Sequence, residues 1–365
     1  MKTFNATLFF WHPFFGIDNQ FIMLYNKYAQ VIKDEQLCIG YSIRRISLPR
    51  NKTIDYRLLL KVSKLYYEKA LTQQEISERL SLSRPKVSRL LKQAEEAGVV
   101  KINIIAHPGF HTDLEDGLEN KFGLKEAIVV DVGEPASQIA VSREVGVAAA
   151  DYFSRAVSDP CVIGISWGTT LRAMVDAIHA MDYRNSQIVQ LIGGLGMPES
   201  EAHATYILRR LVAQIGSKLS ILNVPGIVDN TAVKKAVLSD SHVRDTFNMF
   251  PRIEIAFVGI GVPTPESVVM RDGMILTKDQ MEMLMKKGAI GDICLRYFDE
   301  SGKAIQSEVD DRVVGISLDE LKKIDRVVGV TGGPQKEKVI RAALIGKLIN
   351  VLITDQQIAK KLLED

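Results

Sequence analysis

CVIGISWGTTLRAM, residues 161–174, is the stretch that decides the fold of this chain. A β-branched apolar run leads into small turn residues, and a run with helical spacing follows, so it reads as strand, turn and helix. Its centre, Gly164-Ile165-Ser166-Trp167-Gly168, also spells Gly-x-Ser-x-Gly, the pattern of a hydrolase nucleophile elbow. That chemistry needs an acid and then a histidine later in the chain, yet the later histidines are His179, His203 and His242, with none beyond. Ser166 is therefore not read as a nucleophile. No Gly-Lys-Ser/Thr follows, so the loop is not a Walker phosphate loop either. What remains is a strand end bearing Ser166, Gly168, Thr169 and Thr170. Small residues, hydroxyls and the unpaired N–H groups of a helix N-terminus together suit an anion such as a phosphate. The plainer alternative is a glycine that permits the turn and a threonine that caps the helix.

Outward from this stretch the same alternation runs to the end of the chain. AIVVDV, IVQLIGG, LSILNV, EIAFVGIG, RVVGVTGG and NVLITD are short β-branched runs, separated by helix-patterned segments such as REVGVAAADYFSRAV, YILRRLVAQIG and KVIRAALIG. Such alternation predicts an α/β domain over 112–365, doubly wound around a mostly parallel sheet, with ligands bound beyond the carboxyl ends of the strands. Gly168, Gly193-Gly194, Gly259 with Gly261, and Gly332-Gly333 fall at those ends. AHPGFH, residues 106–111, breaks the pattern and reads as a linker.

Before the linker, LTQQEISERLSLSRPKVSRLLKQAEEAGVVKINII carries two helix starts. Thr72 and Glu75 match a capping box, so a helix begins after Thr72 and presents Ile76 and Leu80 to a core. Ser81-Leu82-Ser83 is a short turn. Ser83 can cap a second helix with Pro85 in its first turn and Gly98 just past its end. Val87, Leu90 and Leu91 form the buried side of that helix, and Arg84, Pro85, Lys86, Ser88, Arg89 and Lys92 form the outer one. A helix-turn-helix places the start of its second helix in the major groove of double-stranded DNA, so these six residues are the candidate DNA contacts. Leu59, Val62, Leu65 and Tyr66 of a preceding helix supply packing, and VVKINII suggests a strand or wing. These features define a winged helix-turn-helix over 54–105.

Bulk composition agrees with two soluble domains. The chain has 365 residues, 46% hydrophobic and 25% charged, with a formal net charge of +2. Between residues 51 and 105 Lys and Arg outnumber Asp and Glu by 11 to 6, whereas the body after 105 is acidic on balance, so a polyanion partner fits the front only. Cys38, Cys161 and Cys294 are far apart and in no metal-ligand spacing, which predicts structural thiols, no metal site and a cytoplasmic location. No apolar run is long enough for a membrane span. Residues 1–53 hold six of the 13 phenylalanines in their first half and no clean period, and read as a leader of separate status.

SRPKVSRLL, GISWGTT, GDICLRYFDESG, DDRVVGISL and TGGPQKEKVIRAALIGKLINVLITD together resemble the SorC type of sugar-responsive bacterial transcriptional regulators, over 54–365. SWGTT, VDNTAVKKAV and GDICLRYFD are most similar to its deoxyribonucleoside-responsive members. The resemblance implies an effector domain similar to sugar-phosphate isomerases. It implies a regulator, repressor or activator with repression favoured, that binds operator DNA as a homo-oligomer, dimer or tetramer, and responds to a phosphorylated sugar. Phosphate contacts carry over to Gly168, Thr169 and Thr170, and pocket positions to Gly193, Gly194, Asp229, Asp292 and Lys336. An aspartate can accept sugar hydroxyls, and a lysine beside Gly332-Gly333 can meet an oxyanion. Ile192, directly before Gly193, cannot form an imine with an aldehyde, so covalent capture would have to fall to Lys336, and reversible noncovalent binding without a cofactor is expected. The alternative is an isomerase-like enzyme with a basic appendage, which the helix-turn-helix disfavours.

Overall fold

The computed structural model describes residues 55–102, 109–133, 136–194, 198–264 and 275–364. The leader expected over 1–53 and residues 106–108 of the expected linker lie outside the described residues. The chain divides after Asn103 into two compact units.

In the first unit, helix α1 (Tyr56–Ser63) runs on into a π-helical turn, Lys64–Glu68, followed by α2 (Gln73–Leu80) and α3 (Arg84–Glu96). The capping box forms as the sequence requires: Glu75 N–H donates to Thr72 Oγ1 at 3.3 Å, and Thr72 N–H donates to Glu75 Oε2 at 2.8 Å. Ser81 closes α2 in the left-handed region, φ 53°. Ser83 occupies the N-cap of α3, although its side chain makes no capping bond. Leu59, Val62, Leu65, Ile76, Val87, Leu90, Leu91 and Ala94 make one buried cluster, so the helical spacing read from the sequence is the packing seam. The strand expected after Gly98 is not seen over 99–102. Val99 and Val100 both donate their N–H groups to Ala94 O, at 2.8 and 3.1 Å, in a helix-terminating motif that Gly98 makes possible with φ 69°. Those donors are thus unavailable to a strand partner.

The second unit is built on a seven-stranded sheet in the order β1-β9-β8-β5-β2-β3-β4, every pair parallel. The strands are β1 (Glu126–Val130), β2 (Val162–Ile165), β3 (Gln187–Gln190), β4 (Lys218–Ser220), β5 (Ile255–Val258), β8 (Arg326–Val330) and β9 (Val351–Asp355); β6 (Gly291–Ile293) and β7 (Arg296–Phe298) form a separate antiparallel hairpin. All seven runs read as strands in the sequence contribute one sheet strand each. Near-continuous burial along β5, β8 and β9 is what a sheet covered on both faces requires, whereas the edge strands β1 and β4 are only partly buried.

One face packs Val141, Val145 and Phe153 of α5 (Gln138–Ala156), Leu171 and Met174 of α6 (Thr169–Ala177), and Leu208 and Leu211 of α7 (Pro198–Ile215). The other packs Leu118 of α4 (Thr112–Phe122), Ile340 and Ala343 of the helix Glu337–Ile345, and Ile358 and Leu362 of the helix Gln356–Leu363. Among the described residues no helix is long and apolar enough to cross a membrane.

Strand β1 is an edge, and its outward N–H groups are not left open. Ala127 N–H donates to Glu119 Oε1 and Val129 N–H to Glu115 Oε1, both at 2.9 Å. The two glutamates stand one helical turn apart on α4, a spacing that matches alternate residues of the strand.

Candidate functional site

Strand order reverses between β2 and β5. The chain leaving β2 goes to β3 on one side, and the chain leaving β5 goes to β8 on the other, so their carboxyl ends diverge and leave a crevice. A cavity of about 290 Å³ lies there. Ser166, Gly168, Thr169 and Thr170 line it from the end of β2, and Gly259, Ile260 and Gly261 from the end of β5. Asp292, Cys294 and Tyr297 come from the β6–β7 hairpin, and Gln335 and Lys336 from the start of the helix Glu337–Ile345.

The turn after β2 has the shape an anion site needs. Gly168 stands at the N-cap of α6 with φ 149° and ψ 164°, a region open to glycine alone, and no side chain caps the helix. The first N–H groups of α6 therefore meet the cavity with the positive end of the helix dipole behind them. Ser166 is buried and its Oγ accepts from Gly259 N–H at 3.3 Å, a structural tie between β2 and β5. No histidine lines the cavity among the described residues. Thr169 is exposed, whereas Thr170 is buried and its Oγ1 donates to Ser142 Oγ at 3.4 Å, joining α6 to α5. The indole N–H of Trp167, which also borders the cavity, is buried without an acceptor among the described residues.

Asp292 and Lys336 bring opposite charges to one site. Asp292 is 8% exposed, and burial pushes its carboxyl up to about 6, against the Leu295 N–H and the Lys336 charge. Burial likewise pushes Lys336 down to about 8, against the pull of Asp292. Lys336 Nζ donates to Ile260 O at 2.9 Å, and Asp292 Oδ2 accepts from Leu295 N–H at 3.0 Å. Cys294, read as a structural thiol, borders this pair. Burial pushes it up to about 12, so it stays protonated and unreactive. The hairpin is fixed from behind by Arg296, whose buried guanidinium donates to the carbonyls of Asp310, Gly315 and Ile316 at 2.8, 3.0 and 3.1 Å.

The structure does not bring Gly193, Gly194 or Asp229 to this cavity. A Cβ on Gly193 would stand 2.5 Å from Val224 O, so that glycine is needed for a close backbone crossing. Gly193 N–H donates to Val314 O at 3.0 Å and Gly194 N–H to Val224 O at 2.9 Å, which employs both donors internally. Asp229 is exposed, with its carbonyl accepting from Arg312. Conversely, Gln138, Trp167 and Tyr297 line the cavity and were not singled out by sequence. Tyr297 sits within GDICLRYFD, a stretch that the sequence offered only as a point of family resemblance. Gln138 starts α5, remote from every motif, and donates to Gly332 O at 3.1 Å.

In the first unit Arg84, Pro85, Lys86, Ser88, Arg89 and Lys92 are all exposed on α3, opposite the buried seam. Arg89 Nε donates to Pro85 O at 3.3 Å, and Lys92 lies 4.0 Å from Glu96. Five potential donors to phosphate or base edges thus share one helix face.

Comparison with known proteins accounts for both units. Residues 106–364 match the sugar-binding domain family, and residues 65–101 match winged helix-turn-helix DNA-binding domains. The chain is 33% identical over 309 residues to the deoxyribonucleoside regulator of Bacillus subtilis (strain 168), covering 85% of this chain and 98% of the relative. The full-length sorbitol operon regulator SorC from Klebsiella pneumoniae superposes with a TM-score of 0.64 at 28% identity, over 84% of this chain and 98% of that one. A DeoR family transcriptional regulator from Listeria monocytogenes gives 0.63 at 30% identity, over 69% and 98%. With a helix-turn-helix in front and the sugar-binding domain matched over nearly its whole second unit, the chain belongs to the SorC family of DNA-binding transcriptional regulators.

Proposed function

We propose that the protein is a cytoplasmic repressor of a sugar or deoxyribonucleoside catabolic operon, released from its operator by a phosphorylated sugar bound noncovalently in the cavity between β2 and β5. The observation that carries this reading is the convergence of the uncapped N-terminus of α6 and the Lys336 ammonium on one cavity that also holds a buried carboxylate. A phosphate monoester brings nearly two negative charges and three acceptor oxygens, which suits the Gly168-Thr169-Thr170 turn and Lys336. Asp292 then accepts from sugar hydroxyls. The cavity is at the small end of the roughly 300–1,000 Å³ typical of ligand sites, which favours a single small sugar.

In this reading Arg84, Lys86, Ser88 and Arg89 contact double-stranded operator DNA, with Pro85 and Lys92 at the edge of the same face. A dimer or tetramer supplies paired recognition helices. Effector and operator are then coupled reciprocally, typically by about 1 to 3 kcal/mol.

The test is a thermal-shift titration of wild type and Thr169→Val with sugar phosphates and their unphosphorylated parents, paired with operator binding. A ligand that binds only the folded state must raise the melting temperature. A phosphosugar that stabilises wild type, loses that effect in Thr169→Val and weakens operator binding supports the reading. An unphosphorylated sugar that acts as well as its phosphate would sink the phosphate assignment.

A further inference from the structure

The segment that leaves β5 holds both charged groups of the cavity. Ile260 O accepts from Lys336 Nζ at 2.9 Å. The next residue, Gly261, exchanges two backbone bonds with Asp292: Gly261 N–H donates to Asp292 O at 2.9 Å, and Asp292 N–H donates to Gly261 O at 3.1 Å. One dipeptide therefore sets where the ammonium and the carboxylate stand.

Gly261 also decides whether the carboxylate fits at all. A Cβ built on it would stand 2.1 Å from Asp292 Oδ1 and 3.0 Å from Cγ. Any side chain at 261 must push the carboxylate away.

The hairpin shows that this carboxylate is held deliberately. Its two-residue turn places Cys294 at φ 53° and Leu295 at φ 60°, a conformation normally left to glycine and asparagine. The N–H that this turn presents is the one that Asp292 Oδ2 accepts. Oδ1 has no protein donor among the described residues, and Lys336 spends one of its three donors on Ile260 rather than on the carboxylate. A buried carboxylate and a half-buried ammonium on one cavity, each with unused capacity, suit a ligand that gives a proton to one and an acceptor to the other.

We propose that Gly261 is the specificity-determining residue of the cavity: by leaving room for the Asp292 carboxylate, it makes the site select a polyhydroxylated phosphate ester over phosphate itself. This rests on the effector reading above. The helix N-terminus and Lys336 hold any phosphate, and the Gly261–Asp292 contact adds the demand for a hydroxyl.

The experiment measures dissociation constants of the full-length protein for ribose 5-phosphate, glucose 6-phosphate and fructose 6-phosphate, and for methyl phosphate as the plain ester. Wild type should prefer at least one sugar phosphate by roughly 100-fold, since a site built to accept a hydroxyl discriminates strongly against its absence. Gly261→Ala should cut that preference, read as the ratio of the sugar-phosphate to the methyl phosphate dissociation constant, about tenfold or more. Thr169→Val should weaken both ligands together and keep the ratio. Should Gly261→Ala fail to fold, Asp292→Asn carries the same expectation on an unaltered backbone. An unchanged ratio in the folded variants overturns the role of Gly261. Sugar phosphates bound no better than methyl phosphate overturn it while sparing the phosphate site, and binding of neither removes the effector reading as well.

Discussion

Gly333 N–H donates to Asp355 Oδ2 at 2.8 Å, and the other oxygen of the same carboxylate accepts from Gln357 and Ile358 N–H at the start of the last helix. Asp355 is 1% exposed, so it serves as cap and as anchor for the turn that leads to Lys336. Lys336 N–H in turn donates to Gly333 O at 3.0 Å. A residue at the very end of β9 thereby sets the position of a cavity lysine.

Asp355→Ala should lower stability by about 3 kcal/mol, combining a lost helix cap with an orphaned buried N–H. Effector affinity should fall with it, because the turn before Lys336 loses its anchor. Chemical denaturation beside ligand titration checks both. Normal affinity in a destabilised protein would separate Asp355 from the site.

Asp292 predicts a pH dependence. Burial raises its carboxyl from 3.8 to about 6. Below 3.8 the group is protonated in both folded and unfolded chains and makes no difference. Between about 4 and 6 the unfolded chain ionises first, so the unliganded protein loses stability as pH rises through that window, by roughly 3 kcal/mol. Asp292→Asn should remove this loss, giving a more stable protein at pH 7 that binds its effector more weakly. Melting temperatures of both proteins between pH 4 and 7 read it directly, and parallel curves would count against a buried, unpaired carboxylate.

Gly168→Ala tests backbone rather than space. Nothing lies within 4 Å of a Cβ added there, yet φ 149° and ψ 164° are hostile to alanine. The expected cost is about 1 to 3 kcal/mol, with the first turn of α6 displaced and effector binding weakened. Denaturation midpoints and ligand titration would show it. Wild-type behaviour would mean that the turn relaxes freely.

Arg89→Ala should weaken operator binding by about 1 to 3 kcal/mol and leave the effector-induced rise in melting temperature intact. Lys92→Ala should act on all DNA sequences alike and reduce the salt dependence of binding by about one unit of slope. Electrophoretic or fluorescence titrations at several salt concentrations distinguish these outcomes.

Local signals proved readable, and adjacency did not. Thr72 with Glu75, the helical spacing of Val87, Leu90 and Leu91, and the β-branched runs each act within a few residues, and each formed the element it implied. Which strand lies beside which depends on the whole chain. Gly193-Gly194 and Gly168 therefore looked equivalent in sequence, although only Gly168 stands at the point where strand order reverses. Gln138 and Tyr297 reach the cavity through contacts spanning much of the chain, which no local pattern encodes. Val99 and Val100 had strand-like composition, but the helix end before them took their N–H groups first.

The glutamates of α4 that occupy the outer N–H groups of β1 also decide what that margin of the sheet can accept. An open strand edge is a template for a strand of another chain, and Glu115 and Glu119 take up donors that such a strand would need. Backbone pairing at this margin therefore requires α4 to move aside first, so the sheet is guarded against growth on the β1 side by two side chains.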